Sequence, residues 1–274
     1  MAARGSTNLP DRRRGMRRHV DKRGELCLPD GMKTALAIYD MDRTITRRAT
    51  YTPFLIHAAL RLAPWRLLFA PLVVMSMLLY LAGLIDRGRL KEINYRLLVG
   101  RGVSPERLEQ VVESFADRQI ATNITPGARA SIAADRAAGR RLVMATASYR
   151  LYAAAIARRL GFDDVIATET GLDTNGRVVA KIEGSNVYGP AKLAAIETWL
   201  EREGLAREAV HIRFYSDHVS DAPVHHWSDE PVAANAHDRL IRLAEAEGWE
   251  VLDWHARPRR RRSKARPARQ AEKG

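Results

Sequence analysis

The chain has 274 residues, 46% of them apolar, which excludes a disordered polymer and suffices for one or two packed cores. Its formal charge of +13 sits at the ends: residues 1–33 hold nine Lys/Arg against four acids and residues 256–274 nine against one, so residues 34–255 are formally neutral and the body is not a basic nucleic-acid surface. The single cysteine, Cys27, excludes an intrachain disulfide and fits a reducing compartment, and the first twenty residues lack the apolar core of a secretory leader, so a cytoplasmic location is expected.

Both ends, residues 1–33 and 257–274, read as solvated basic tails. Such arms suit anionic lipid or nucleic acid as a charge reservoir, with no specific nucleic acid implied. Past the first tail, "KTALAIYD" is a short apolar run, a buried strand that ends in acid. A Leu- and Ala-rich stretch from Tyr51 to about Arg118 is helical throughout. Within it, Ser104 and Pro105 occupy the N-cap and first helical positions of "SPERLEQVVESFADRQI".

From Thr125 the pattern alternates. "TPGARASIAADRAAG" is a helix closed by Gly139, and "RRLVMATAS" a strand. "YRLYAAAIARRLG" is a helix closed by Gly161, and "FDDVIATE" a strand. "GPAKLAAIETWLEREG" is a helix closed by Gly204, "VHIRFYSD" and "EPVAANA" are strands, and "HDRLIRLAEAEG" and "WEVLDW" close the ordered part. This alternation predicts an α/β fold, a doubly wound parallel sheet, with the helical stretch 51–118 inserted as a cap between residues 34–50 and 119–256 of the core.

Three strands end in polar clusters, "YDMD", "ATAS" and "YSDHVSD", and ligands sit beyond the carboxyl ends of strands in open α/β sheets. Asp40, Asp42, Thr146, Ser148, Asp217 and Asp221 are therefore expected at one rim. Four carboxylates together force protonation unless a cation joins them, and Mg²⁺ is the usual partner beside a phosphate. One carboxylate then serves as nucleophile and a second shuttles the proton. A lysine offsets the developing phosphoryl charge, and Lys192 opens a helix between the second and third clusters. Taken singly, these residues have plainer readings. The two aspartates suit a strand-end turn, Lys192 a solvated first turn, and Ser148 either a phosphate contact or a helix N-cap. His225 and His226 share no metal spacing with another ligand and are taken as structural, and the tryptophans are too scattered for a stacking platform.

The uncharged run Leu67–Ile85 has 19 residues and passes the length test for a membrane span. A single crossing would put Asp40 and the later clusters on opposite sides of the bilayer. The run is thus expected either buried in the cap or against a second copy, or lying in a membrane interface with Arg61, Arg66, Arg87 and Arg89 as its flanks.

The order of these clusters resembles the haloacid dehalogenase-like superfamily, specifically the subclass IB hydrolases related to phosphoserine phosphatase, over about residues 34–254. DxDxT matches Asp40, Asp42 and Thr44. The strand ending in Thr or Ser matches Thr146 with Ser148 beside it. The lysine after a Gly-x-x matches Gly189 and Lys192, and the acidic pair matches Asp217 and Asp221. The resemblance implies a Rossmann-like core with an inserted cap, and roles residue by residue. Asp40 is the nucleophile and a metal ligand, and Asp42 is the general acid/base with its carbonyl on Mg²⁺. Thr44, Thr146 and Ser148 lie on the substrate or phosphate side, Lys192 links Asp40 to the phosphoryl group, and Asp217 and Asp221 hold the metal.

Three positions depart from the family pattern: Arg43 replaces a frequent Gly, His218 replaces a small residue, and "ITRRATYTPF" has arginines where phosphoserine phosphatases carry a glutamate. The expected activity is Mg²⁺-dependent hydrolysis of a phosphomonoester through an aspartyl-phosphate, on a small-molecule, hydrophobic or lipid-linked substrate, with membrane contact through cap and tails. The alternatives are a phosphotransferase using the same site and a non-catalytic scaffold acting through the tails.

Overall fold

A computed structural model of the chain describes residues 33–255, so the basic tails inferred from composition lie, but for Lys33, outside the described residues. Strand β1, Thr34–Tyr39, runs parallel between β2, Arg141–Tyr149, and β5, Val210–Ser216, with Ile38 in register with both Val143 and Phe214. Such a strand is buried on both faces and needs apolar residues at every position, as "ALAIY" supplies. Its side chains alternate. Leu36 and Ile38 join the core under α7, Pro190–Arg202, whereas Ala37 and Tyr39 join the larger core under α5, Pro126–Ala137, and α6, Arg150–Leu160.

Outside these three strands lie β3, Asp164–Leu172, and β4, Val178–Glu183, on one side. On the other lie β6, Glu230–Ala234, and β7, Glu250–Leu252, giving the order β4-β3-β2-β1-β5-β6-β7. Every pairing is parallel except β3 with β4. The sheet is the expected doubly wound one. Strand β4 is an addition to the expected strands, because its exposed edge carries Lys181 and Glu183 and lacks a continuous apolar run.

Helices α1, Tyr51–Leu62, α2, Ala70–Leu81, α3, Arg87–Leu98, and α4, Pro105–Thr122, form the inserted cap, and α4 continues unbroken past residue 118. Three rings fasten it to the core: Phe54 of α1 lies 5.3 Å from Phe115 of α4 and 4.5 Å from Tyr152 of α6. Ser104 holds the N-cap position in an extended conformation, but its hydroxyl makes no capping hydrogen bond. Below the sheet, Tyr39 stacks on Tyr215 at 4.2 Å, and both hydroxyls donate to Oδ2 of buried Asp135, at 2.5 and 2.8 Å.

The expectation that Leu67–Ile85 is buried in the cap is corrected here. Of Pro64–Leu81, 6% is buried, and in α2 the one fully buried residue is polar Ser76, whose hydroxyl hydrogen-bonds Oδ1 of Asn94 at 2.7 Å. The helix meets α3 through this polar seam and turns its leucines outward.

His225, in α8, Ala222–Trp227, is buried, stacked at 5.0 Å on Trp249 and edge-on at 4.9 Å to Phe214, consistent with a structural role. Neither ring nitrogen has a partner, and burial lowers its pKa from 6.5 to about 4. Between those values the unfolded chain binds a proton that the folded chain does not, so stability is full above pH 6.5 and falls as the pH drops toward 4. His225→Phe should therefore lose roughly 2–3 kcal/mol less stability than the native chain between pH 7 and pH 4.5 in urea titrations.

Candidate active site

The sheet order reverses direction at β1, with β2 on one side and β5 on the other, so the crevice above their carboxyl ends is a topological switch point. Asp40 follows β1 and extends its ladder, its N–H donating to the Tyr215 carbonyl at 2.9 Å. Asp217 follows β5, and Thr146 lies where the β2–β3 register shifts. A cavity of about 450 Å³ opens there, lined by Asp40, Asp42, Thr146, Ser148, Lys192, Asp217 and Asp221 among others.

Lys192 organises the acids. Its ammonium, buried in the first turn of α7, donates to Asp40 Oδ1 at 2.8 Å and to Asp221 Oδ2 at 2.6 Å. The chain reaches that turn through Gly189 at φ 60°, ψ −133°, a conformation that side chains resist. Ser216 Oγ donates to the same Asp221 oxygen at 2.6 Å, while Asp221 Oδ1 is buried without a hydrogen-bond partner. Thr44 Oγ1 lies 3.3 Å from both Asp40 Oδ2 and Asp217 Oδ1, so the first and last motifs meet at one hydroxyl.

Thr44, expected on the phosphate side, bridges the two acids here. It is fully buried between two carboxylates and forms no part of the cavity wall. Ser148 is not an N-cap, since Tyr149 takes that position. Its hydroxyl donates to Asp42 Oδ2 at 2.6 Å and accepts from Tyr152 at 2.8 Å. Thr50 supplies two more donors to Asp42, its N–H and hydroxyl each 2.7 Å from Oδ1. Thr146 Oγ1 accepts from the Ser148 N–H at 3.1 Å. Arg43 stands at φ 63°, a left-handed turn that favours glycine, and its guanidinium lies 3.3 Å from His237 on the cavity wall.

One residue on the wall escaped the sequence reading. Lys91 of α3 is buried and donates to the Ala147 carbonyl at 2.5 Å and to Asn186 Oδ1 at 2.6 Å, tying cap to core. Burial, aided by the neighbouring Arg87 charge, lowers its pKa to about 7. The signal was a buried helix stripe, Leu90, Lys91, Asn94, Tyr95 and Leu98, with two polar members.

The electrostatics fit a hard cation. Burial, and after it the opposing pull of Lys192 and the charges of Asp221 and Asp217, leave Asp40 raised to about 7. Burial likewise raises Asp217 to about 6. Lys192 is held above its ordinary range by Asp221 and Asp40 in spite of burial. Among the described residues no three His, Cys, Asp or Glu side chains form a ready metal-binding group. Asp40 and Asp217 supply two convergent carboxylates, and an Mg²⁺ ion there would complete its shell with main-chain and water oxygens, as that ion commonly does. Three acids against one lysine, and the orphaned Asp221 oxygen, are the chemistry such an ion offsets.

Removing the ammonium should expose this crowding. Lys192→Met is expected to cost about 3–5 kcal/mol at pH 8, because it strands buried carboxylates. The cost should shrink below pH 6, where Asp40 and Asp217 bind protons; urea titrations at pH 8 and pH 5 measure the difference.

With this geometry in view, residues 37–226 match the family described as haloacid dehalogenase-like hydrolase. The chain is 28% identical over 225 residues to the "Inhibition of morphological differentiation protein" of Streptomyces azureus, covering 80% of this chain and 78% of that protein. It is 31% identical over 170 residues to a phosphoserine phosphatase of Mycobacterium tuberculosis, covering 62% of this chain and only 53% of that relative, about half its length. A crystal structure of a protein of unknown function from Bordetella pertussis superposes with a TM-score of 0.72 at 28% identity, over 81% of this chain and all of that one. The chain belongs to the haloacid dehalogenase-like hydrolase family.

Proposed function

We propose that this chain is a phosphomonoester hydrolase in which Asp40 is the nucleophile and Mg²⁺ the metal. The observation that carries the reading is the Asp40–Lys192–Asp221 chain of ion pairs at the switch point, with Asp217 brought to Asp40 through Thr44. The relative named a phosphoserine phosphatase supports the reaction class.

The metal, held by Asp40, Asp217 and the Asp42 carbonyl with Asp221 behind them, would supply positive charge to offset the phosphoryl oxygens. The remaining work falls to the chain. Lys192 keeps one Asp40 oxygen ionised and oriented. An Asp40 oxygen attacks phosphorus, the bond to the leaving oxygen breaks, and Asp42 gives that oxygen a proton. Water then attacks phosphorus, Asp42 takes its proton, and Asp40 is released. Three donors, from Thr50 and Ser148, aim the Asp42 carboxylate. Thr146 offers its hydroxyl to a phosphoryl oxygen, and the cap keeps bulk water from the intermediate.

The cavity wall bears on the substrate. Arg43, Arg87 and Lys91 stand there together with Met77 and Tyr80 of α2, and the loop after the first motif carries exposed Arg47 and Arg48 and no acid. These groups support a phosphomonoester with an apolar body rather than phosphoserine.

Asp40→Asn should lower Mg²⁺-dependent release of phosphate from p-nitrophenyl phosphate by at least about 1,000-fold without changing the circular dichroism spectrum. Chelation by EDTA should abolish turnover of the native chain. Undiminished turnover in the variant would remove Asp40 from its role.

A further inference from the structure

The cap presents an unusual surface for a water-facing helix. Pro64–Leu81 has a mean hydropathy of 1.6, yet Leu68, Leu72, Met75, Leu78, Leu81 and Leu84 are all exposed, Leu68 by 79% and Leu81 by 72%. Soluble chains rarely leave so many large apolar side chains together in water. The pattern is inverted: Ser76 faces inward to Asn94, and the aliphatic residues face out.

Charge selects the occupant. From Arg43 to Ile85 there is no acid and there are five arginines, Arg43, Arg47, Arg48, Arg61 and Arg66, of which Arg66 turns inward to the Arg96 and Leu97 carbonyls; just beyond, Arg87 and Arg89 follow one exposed acid, Asp86, and Arg89 pairs with Glu92, so the margin of the face remains net positive. A second copy docking by this same face would bring like charges to the rim of a two-fold interface. An anionic lipid surface instead receives both the leucines and the arginines. Spanning is excluded, since Asp40 precedes the segment, Asp217 follows it, and the two share one hydroxyl.

The face is continuous with the cavity. Met77 and Tyr80 of α2 and Arg87 of α3 line the cavity whose far wall holds Asp40. We propose that the exposed face of Pro64–Leu84 docks in the headgroup region of an anionic bilayer, with the cavity mouth beside the lipid surface. Docking needs no catalysis. The substrate class that follows, an amphipathic phosphomonoester presented from the bilayer with its phosphate toward Asp40, rests on the proposed hydrolase reading.

The test is cosedimentation of the full chain with extruded vesicles of phosphatidylcholine alone or with one third phosphatidylglycerol. The native chain should bind the phosphatidylglycerol vesicles and bind neutral ones far less. Leu68→Glu/Leu72→Glu should weaken binding at least tenfold while p-nitrophenyl phosphate turnover is unchanged, and Asp40→Asn should bind like the native chain. Equal binding by the double variant would assign the affinity to the basic tails and overturn the proposal. So would absence of native binding, or a native dimer in analytical centrifugation that the double variant dissociates. Inactivity of the native chain alongside normal binding would overturn the hydrolase reading and leave the docking surface standing.

Discussion

One buried ammonium makes the rest of the site tenable. Lys192 stands between Asp40 and Asp221, residues 152 and 29 positions away, and without it three carboxylates would share a dry crevice. Even with it, Asp40 is raised to about 7 and Asp217 to about 6, because burial penalises each charge and one ammonium does not offset three acids. A fold that needed only stability would place apolar residues there. The retained crowding is instead a standing demand for positive charge, which a divalent cation would meet.

The frame around this crowding follows from strand chemistry. Three parallel strands buried on both faces bring their polar carboxyl ends to one edge, and α7 enters that edge through the Gly189 turn. The cap contributes at closer range than its place in the chain suggests. Thr50, at the start of α1, holds Asp42, while Lys91 of α3 bonds the backbone beside Thr146 and Ser148. Cap position and the aim of the Asp42 carboxylate are thus physically linked.

The sheet and its acidic rim were legible because local chemistry announces them: an apolar run of strand length ending in Asp has few other uses. Lys192 was legible only through the order of the motifs, since a first-turn lysine alone is usually solvated. Three things depended on depth, which linear sequence does not encode. Thr44 is buried between Asp40 and Asp217, Ser148 donates to Asp42, and Lys91 hid within an amphipathic stripe. Strand β4 was missed because an edge strand keeps only its paired backbone as a signature. The apolar run Leu67–Ile85 is the clearest division of labour. Its composition marks it as apolar, and only the packing shows that the other described residues do not cover it.

The proposed reaction requires the Asp40 carboxylate to accept the phosphoryl group. Acid-quenching the native chain during turnover of a phosphomonoester, reducing it with borohydride and mapping peptides by mass spectrometry tests this directly. A carboxyl phosphate on Asp40 would be recovered as homoserine at position 40 and nowhere else. Turnover at full rate with position 40 unmodified, or with homoserine at another aspartate, would contradict it.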